Sequence, residues 1–316
     1  MTGGRDDLAV GVDVGGTKIA AGVVDRAGEV LEVLRVDSPA ADAGAIRDAI
    51  ADLVTQLRAR HRVTAVGVGA AGFVDKTRSV VLFAPNLAWR DMPLRADLVD
   101  RLGLPVVIEN DGNAAAWGEF AFGAGADTDD LLLLTVGTGV GGGIVLDGRL
   151  HRGAFGVAAE VGHLRVVPDG RLCGCGNHGC LEQYASGSAL VRSAREEAAA
   201  GNPLARDLLD RAGGDPARIT GPVITEAAQR GDAFAVAQLA TVGRWLGEGL
   251  ASLAVVLDPA VAVIGGGVSA AGDLLLDPVR EGFAGQWRGT RPALEVRRAE
   301  LGNRAGVIGA ADLARR

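Results

Sequence analysis

Two stretches of this chain repeat one plan, and that repetition narrows its folds more than any other feature. In the first, residues 8–14 (L-A-V-G-V-D-V) are an apolar, β-rich run and G-G-T-K (15–18) makes a tight turn. A second strand follows at 19–24, then the hairpin turn D-R-A-G (25–28) and a third strand at 29–36. In the second stretch, L-L-L-L-T-V (131–136) leads into G-T-G-V-G-G (137–142), G-I-V-L (143–146) and the hairpin turn Asp147-Gly148. Two such units predict two lobes of related architecture with a cleft between them. Between the units, Ile46, Ala49, Ile50, Leu53 and Leu57 make one helical face across 42–60, while 63–69 and 104–109 read as buried strands. Beyond 183 the pattern is mostly helical up to Leu257, and A-V-A-V-I-G-G-G (260–267) is a strand that ends in three glycines.

The two glycine-rich turns resemble nucleotide motifs that they do not satisfy. Residues 137–142 fit G-x-G-x-x-G, but a dinucleotide fold needs a helix next, and a strand follows here. Residues 11–18 look like a Walker loop, but Thr17 precedes Lys18 and again a strand follows. What remains is a pair of turns whose N–H groups at Gly15, Gly16, Gly139 and Gly141 cradle phosphates, helped by the hydroxyls of Thr17 and Thr138 and the charge of Lys18. Asp13, at a strand end, is placed to order Mg²⁺ through water. Gly265, Gly266 and Gly267 offer flat backbone for an adenosine.

All the cysteines fall within eight residues: Cys173, Cys175 and Cys180, in C-G-C-G-N-H-G-C-L-E (173–182). Together with His163 they make a Cys₃His zinc set, and Gly174, Gly176 and Gly179 supply the turns that bring the ligands together. His178 is a rival fourth ligand that spacing does not exclude. The start of the sequence has no apolar signal segment, and the longest apolar run, 131–146, is short and glycine-rich for a membrane span. The expected location is the cytoplasm, where clustered thiols favour metal over disulfide. A net charge of −7 with no basic stripe argues against nucleic acid as a partner.

Strand 104–109 runs into Glu109-Asn110-Asp111 and then a helical stretch. There Asp111 can accept a proton from a hydroxyl while Asn110 donates to a neighbouring oxygen. Taken alone, the same aspartate reads as a helix N-cap. Glu160 lies three residues before His163, and Glu182 two after Cys180.

Taken jointly, D-V-G-G-T-K (13–18), E-N-D-G-N-A-A (109–115), T-V-G-T-G-V-G-G-G-I-V (135–145), E-V-G-H (160–163) and the cysteine run resemble the ROK sugar kinases. Within that family the similarity is greatest to bacterial glucokinases. The resemblance implies an α/β, actin-like ATPase (a duplicated ribonuclease H-like unit) in a two-lobed hexokinase fold. It implies Asp111 as catalytic base and Asn110, Glu160, His163 and Glu182 as sugar ligands, with Asn86 in P-N-L-A-W and Gly72 in A-A-G-F-V-D in sugar-contacting stretches. It supports His163 over His178 as the fourth zinc ligand. The expected lobes are 1–111 plus 301–316, and 112–300 with the zinc loop 163–180.

The expected activity is transfer of the ATP γ-phosphate to the 6-hydroxyl of glucose, with Mg²⁺ and a structural Zn²⁺, in a homodimer or homotetramer. Asp111 and the metal-braced glutamates are expected to share one pocket. Fructose, mannose and N-acetylmannosamine are the alternative sugars. A sugar-sensing regulator of the same family would need a helix-turn-helix for which a first strand near Leu8 leaves no room. A zinc-stabilised sugar-binding protein without catalysis would leave two phosphate turns unexplained.

Overall fold

In a computed structural model, which describes residues 7–286 and 294–316, the repeated plan becomes two five-stranded sheets. In the first sheet, β1 (Leu8–Val14), β2 (Lys18–Val24) and β3 (Val30–Asp37) pair antiparallel, and β4 (Val63–Ala70) adds parallel to β1. A small antiparallel sheet of β5 (Phe73–Val74), β6 (Val81–Phe83) and β7 (Arg90–Met92) follows. The chain then returns as β8 (Val106–Asn110), parallel to β4, which gives the order β3-β2-β1-β4-β8. The second sheet comprises β9 (Leu131–Val136), β10 (Val140–Leu146), β11 (Arg149–Leu150), β12 (Val261–Gly265) and β13 (Glu295–Arg298). Its order, β11-β10-β9-β12-β13, matches that of the first sheet position for position, as a duplication requires. One detail departs from the expected boundaries: β10 begins at Val140, so the turn is 137–139 and Gly141 lies inside the strand.

The helices are α1 (Ala43–Arg58), α2 (Leu94–Leu102), α3 (Asp111–Phe122), α4 (Glu182–Ala185), α5 (Gly187–Ala199), α6 (Arg206–Arg211), α7 (Gly221–Gln229), α8 (Ala233–Leu257), α9 (Asp273–Gln286) and α10 (Ala305–Leu313). Asp42 starts α1 by accepting the N–H groups of Gly44 and Ala45. Four large side chains of the expected face, Ile46, Ile50, Leu53 and Leu57, are buried in the core beside β1, β2 and β4. Each contributes about 1.5–3 kcal/mol of transfer free energy. Helix α8 is long and apolar enough to cross a membrane by length and composition alone, yet half of its apolar window is buried within the protein. It lies close against α9, where Gly243 and Gly247 meet the backbone at Leu275 and Val279.

The described residues form two compact units. One comprises the chain up to Leu133 with Gly143–Ala159 and Glu300–Arg316; the other comprises Leu134–Gly142 and Glu160–Ala299. The expected boundary at 111/112 differs from this division, because α3 packs within the first unit. A Cβ at Gly309 of α10 would overlap the Ala114 carbonyl, and one at Gly118 would overlap that of Ala305, so the two helices touch backbone to backbone. The buried carboxylate of Glu119 secures the returning chain by accepting the N–H groups of Glu300 (3.1 Å) and Leu301 (2.8 Å).

Candidate active site

In the first unit, β1, β4 and β8 run parallel, so their carboxyl ends lie side by side, the usual place for a ligand in such a sheet. Asp13, next to last in β1, lies opposite Gly69 of β4, and a Cβ at Gly69 would stand 3.6 Å from the Cα of Asp111. Asp13 and Asp111 thus flank one glycine. Burial pushes the Asp13 carboxyl up to about 6. The backbone at Gly306, in the first turn of α10, borders this carboxyl: a Cβ there would come within 3.3 Å of it.

The turn after β1 closes with the N–H of Gly15 on the carbonyl of Lys18 (3.0 Å), leaving Thr17 and Lys18 exposed at its tip. Asn86 stands beside it, its Cβ 3.2 Å from where a Cβ on Gly16 would be. Gly72 accepts from the Asn110 amide (3.1 Å), and a side chain at Gly72 would run into Phe83 and Ala84.

The β8–α3 junction is built differently from the simple cap reading. Asn110, not Asp111, is the N-cap: its side chain accepts the Asn113 N–H at 3.0 Å. Asp111 is the first helical residue, half-buried. Beneath it lies a group that sequence reasoning passed over. Glu109, 2% exposed, accepts from the Asn110 N–H (3.1 Å), the Asn113 amide (3.1 Å) and Arg78 Nε (3.0 Å), with Arg152 Nη1 at 3.8 Å. The motif E-N-D-G-N contained the signal, in a glutamate and an asparagine four residues apart, but the two arginines come from distant turns.

In the second unit, the turn 137–139 closes with the Gly137 N–H on the Gly139 carbonyl (3.0 Å), and Thr138 is exposed. Gly266, at φ +83°, lies so close to Val136 that any side chain would overlap its backbone. The ends of β9 and β12 are therefore neighbours. A cavity of about 1090 Å³ opens here, lined by Gly137, Thr138, Gly267 and Val268 and walled by Arg192, Arg195 and Gln229. It joins the turn 137–139 to the third of the three glycines; Gly265 is buried in β12 and Gly266 forms the bend.

The ligand atoms of His163, Cys173, Cys175 and Cys180 all lie within 4.8 Å of one another. The Cys175 and Cys180 sulfurs are 3.7 Å apart, and Cys173 Sγ is 3.7 Å from His163 Nδ1. Tetrahedral zinc with bonds of about 2.0–2.3 Å needs edges of about 3.3–3.8 Å, and the two distances of 3.7 Å match it, so the set can hold the ion. His178 is outside it, exposed and paired with the Gly170 carbonyl at 2.9 Å. Burial, with Cys175 and Cys173 adding to it, pushes the Cys180 thiol up to about 12, so a metal must displace its proton to bind. Gly179, at φ +76°, passes so close to the Val167 carbonyl that only glycine fits.

The two glutamates are neighbours of this set. Burial raises the Glu160 carboxyl, with His163 opposing and Glu182 adding. Glu182 also reaches β10. Its Oε2 accepts the Val140 N–H (3.1 Å), while its Oε1 lies 3.8 Å from Cys173 Sγ. One carboxylate thus links the cysteine loop to the start of β10.

Two sheets of one strand order, each with a glycine turn after its first strand, define a hexokinase-like protein of the actin-type ATPase class. The chain belongs to the ROK family, whose sequence profile matches residues 9–316. It is 52% identical to the glucokinase of Streptomyces coelicolor over 98% of this chain and 98% of that one. It is 41% identical to the glucokinase of Halalkalibacterium halodurans over 96% of this chain and 94% of that one. A crystal structure of the Streptomyces griseus ROK glucokinase in complex with glucose and AMPPNP matches it with a TM-score of 0.90 at 54% identity, covering 98% of this chain and 99% of that one.

Proposed function

We infer that this chain is an ATP-dependent glucokinase, forming glucose 6-phosphate and ADP. The observation that carries the reading is the end-to-end match to a kinase structure holding glucose and an ATP analogue. The residues supply the chemistry. Asp111, at the end of β8, takes the proton of the 6-hydroxyl as that oxygen attacks the γ-phosphorus; the new O–P bond forms as the bond to the β-phosphate oxygen breaks. Most of the acceleration in such a transfer comes from positioning and charge neutralisation, with one base assisting. Asn110 keeps one amide hydrogen for a sugar oxygen after bonding Gly72. Glu160, His163 and Glu182 hold ring hydroxyls, with Gly72 and Asn86 at the sugar's border. If His163 gives Nδ1 to the metal, Nε2 remains for a hydroxyl.

The turns at Gly15, Gly16, Thr17 and Lys18 and at Thr138 and Gly139 take the phosphates, and the cavity beside Gly265–Gly267 takes the adenosine. Asp13 orders Mg²⁺ through water. His163, Cys173, Cys175 and Cys180 hold zinc, which with four protein ligands has no open position and serves to fix the loop. We place the protein in the cytoplasm as a homodimer or homotetramer. Initial rates over a panel of hexoses and phosphoryl donors, with zinc measured in the same sample, test the assignment. Glucose with ATP is expected to give the highest kcat/KM, and a preference for fructose, mannose or N-acetylmannosamine would overturn the sugar.

A further inference from the structure

The buried group under Asp111 is chemically unusual. Two guanidinium groups, Arg78 and Arg152, converge on the single carboxylate of Glu109, which sees almost no solvent. Buried charge is costly unless paired and hydrogen-bonded, and breaking such a set is costlier than never building it. Arg78 Nη2, Arg152 Nη1 and Asn113 Oδ1 are buried with no hydrogen-bond partner among the described residues.

Arg78 sits in left-handed backbone at φ +59°, in a turn whose N–H groups at Thr77, Ser79 and Val80 bond to the Asp75 carboxylate. From there its carbonyl accepts the Ile108 N–H of β8 (3.2 Å) while its Nε reaches Glu109. Every other strong contact of Glu109 goes to the residues on either side of Asp111: the N–H of Asn110 before it and the amide of Asn113 after it.

We propose that Glu109, held between Arg78 and Arg152, is a positioning residue that sets the angle of Asp111 for phosphoryl transfer. The inference rests on the reading of Asp111 as the base. Glu109 itself is beneath the junction and touches no reacting atom. Its oxygens fix Asn110 and Asn113, and the carboxylate between those residues inherits their placement. A general base displaced by about 1 Å can lose about 10²-fold in rate.

The test compares Glu109→Gln, Arg152→Gln, the double variant and Asp111→Asn, measuring kcat, both KM values and thermal unfolding. Glu109→Gln keeps the shape and leaves two cations without their counter-charge. It is expected to lower kcat about 10- to 100-fold while the KM for ATP moves less than about twofold. Removing Arg152 as well restores the net charge of the native set, and the double variant is expected to recover about fivefold or more of the Glu109→Gln loss. A purely structural role predicts instead that the losses multiply and track unfolding temperature.

A folded Glu109→Gln protein with wild-type kcat, or losses that multiply, overturns the proposal. If Glu109→Gln does not fold, Arg78→Lys, which keeps the charge and loses the fork, decides: kcat down about fivefold supports positioning, and unchanged kcat overturns it. The two readings fail separately. An active Asp111→Asn removes the base itself, whereas an inactive Asp111→Asn beside a fully active Glu109→Gln removes only the positioning role.

Discussion

Asp13, next to last in its strand, carries a carboxyl whose proton is held up to about pH 6, against an ordinary value of 3.8, because burial penalises the charge. Between those values the native chain binds more protons than the unfolded one, so this group's contribution to stability is complete below 3.8 and is lost as pH rises through 6. Asp13→Asn, which imitates the protonated form, is expected to match wild type near pH 4. Near pH 7.5 it is expected to be more stable by up to about 3 kcal/mol, while turnover collapses. Urea unfolding of both proteins across that range checks it, and a constant difference would exclude the linkage. Asp13 and Asp111 were legible in the sequence because each lies where an apolar strand gives out, next to small residues. Glu109 was not, because its meaning depends on Arg78 and Arg152, and nothing local says which way a distant turn aims its arginine.

The cysteine loop shows how an element inherits order from a few side chains. The loop's own hydrogen bonds include the Cys173 N–H on the Asn177 carbonyl (2.7 Å) and the Gly179 N–H on the Arg171 carbonyl (2.9 Å). Glu182 joins this loop to the Val140 N–H at the start of β10. Cys175→Ser, or chelation of zinc, is therefore expected to weaken glucose binding and to speed hydrogen exchange at Val140 together. Full glucose affinity and an unchanged Val140 amide in metal-free protein would remove the loop's supporting role. Helix α10 illustrates a packing limit that spacing alone does not express. A Cβ at Gly67 of β4 would overlap the Ala310 carbonyl, so Gly67→Val must push helix and sheet apart. The expected cost is about 1–3 kcal/mol or more, read as a lower urea midpoint with the m-value unchanged. The pattern showed a glycine in a strand, and only the docked helix explains why nothing larger fits.

At the scale of the whole molecule, Val255 and Val256 stand 63% and 81% exposed on the last turn of α8. The proposed homo-oligomer is expected to cover these side chains. Val256→Glu is expected to shift the mass seen by light scattering toward the monomer; a monomeric wild type at micromolar concentration would remove that assignment. The amino-acid order by itself determined the repeated strand–turn–strand units, the α1 face, the cysteine cluster and the aspartates near the strand ends, because each is written in neighbours along the chain; which histidine joins the cysteines was settled only by the fold. Tertiary structure alone decided that Asn110 rather than Asp111 caps α3, that Glu182 reaches Val140, and that two remote arginines close on Glu109. Those outcomes turn on side-chain direction and on which buried charge meets which, and both are settled only when separate segments exclude water together.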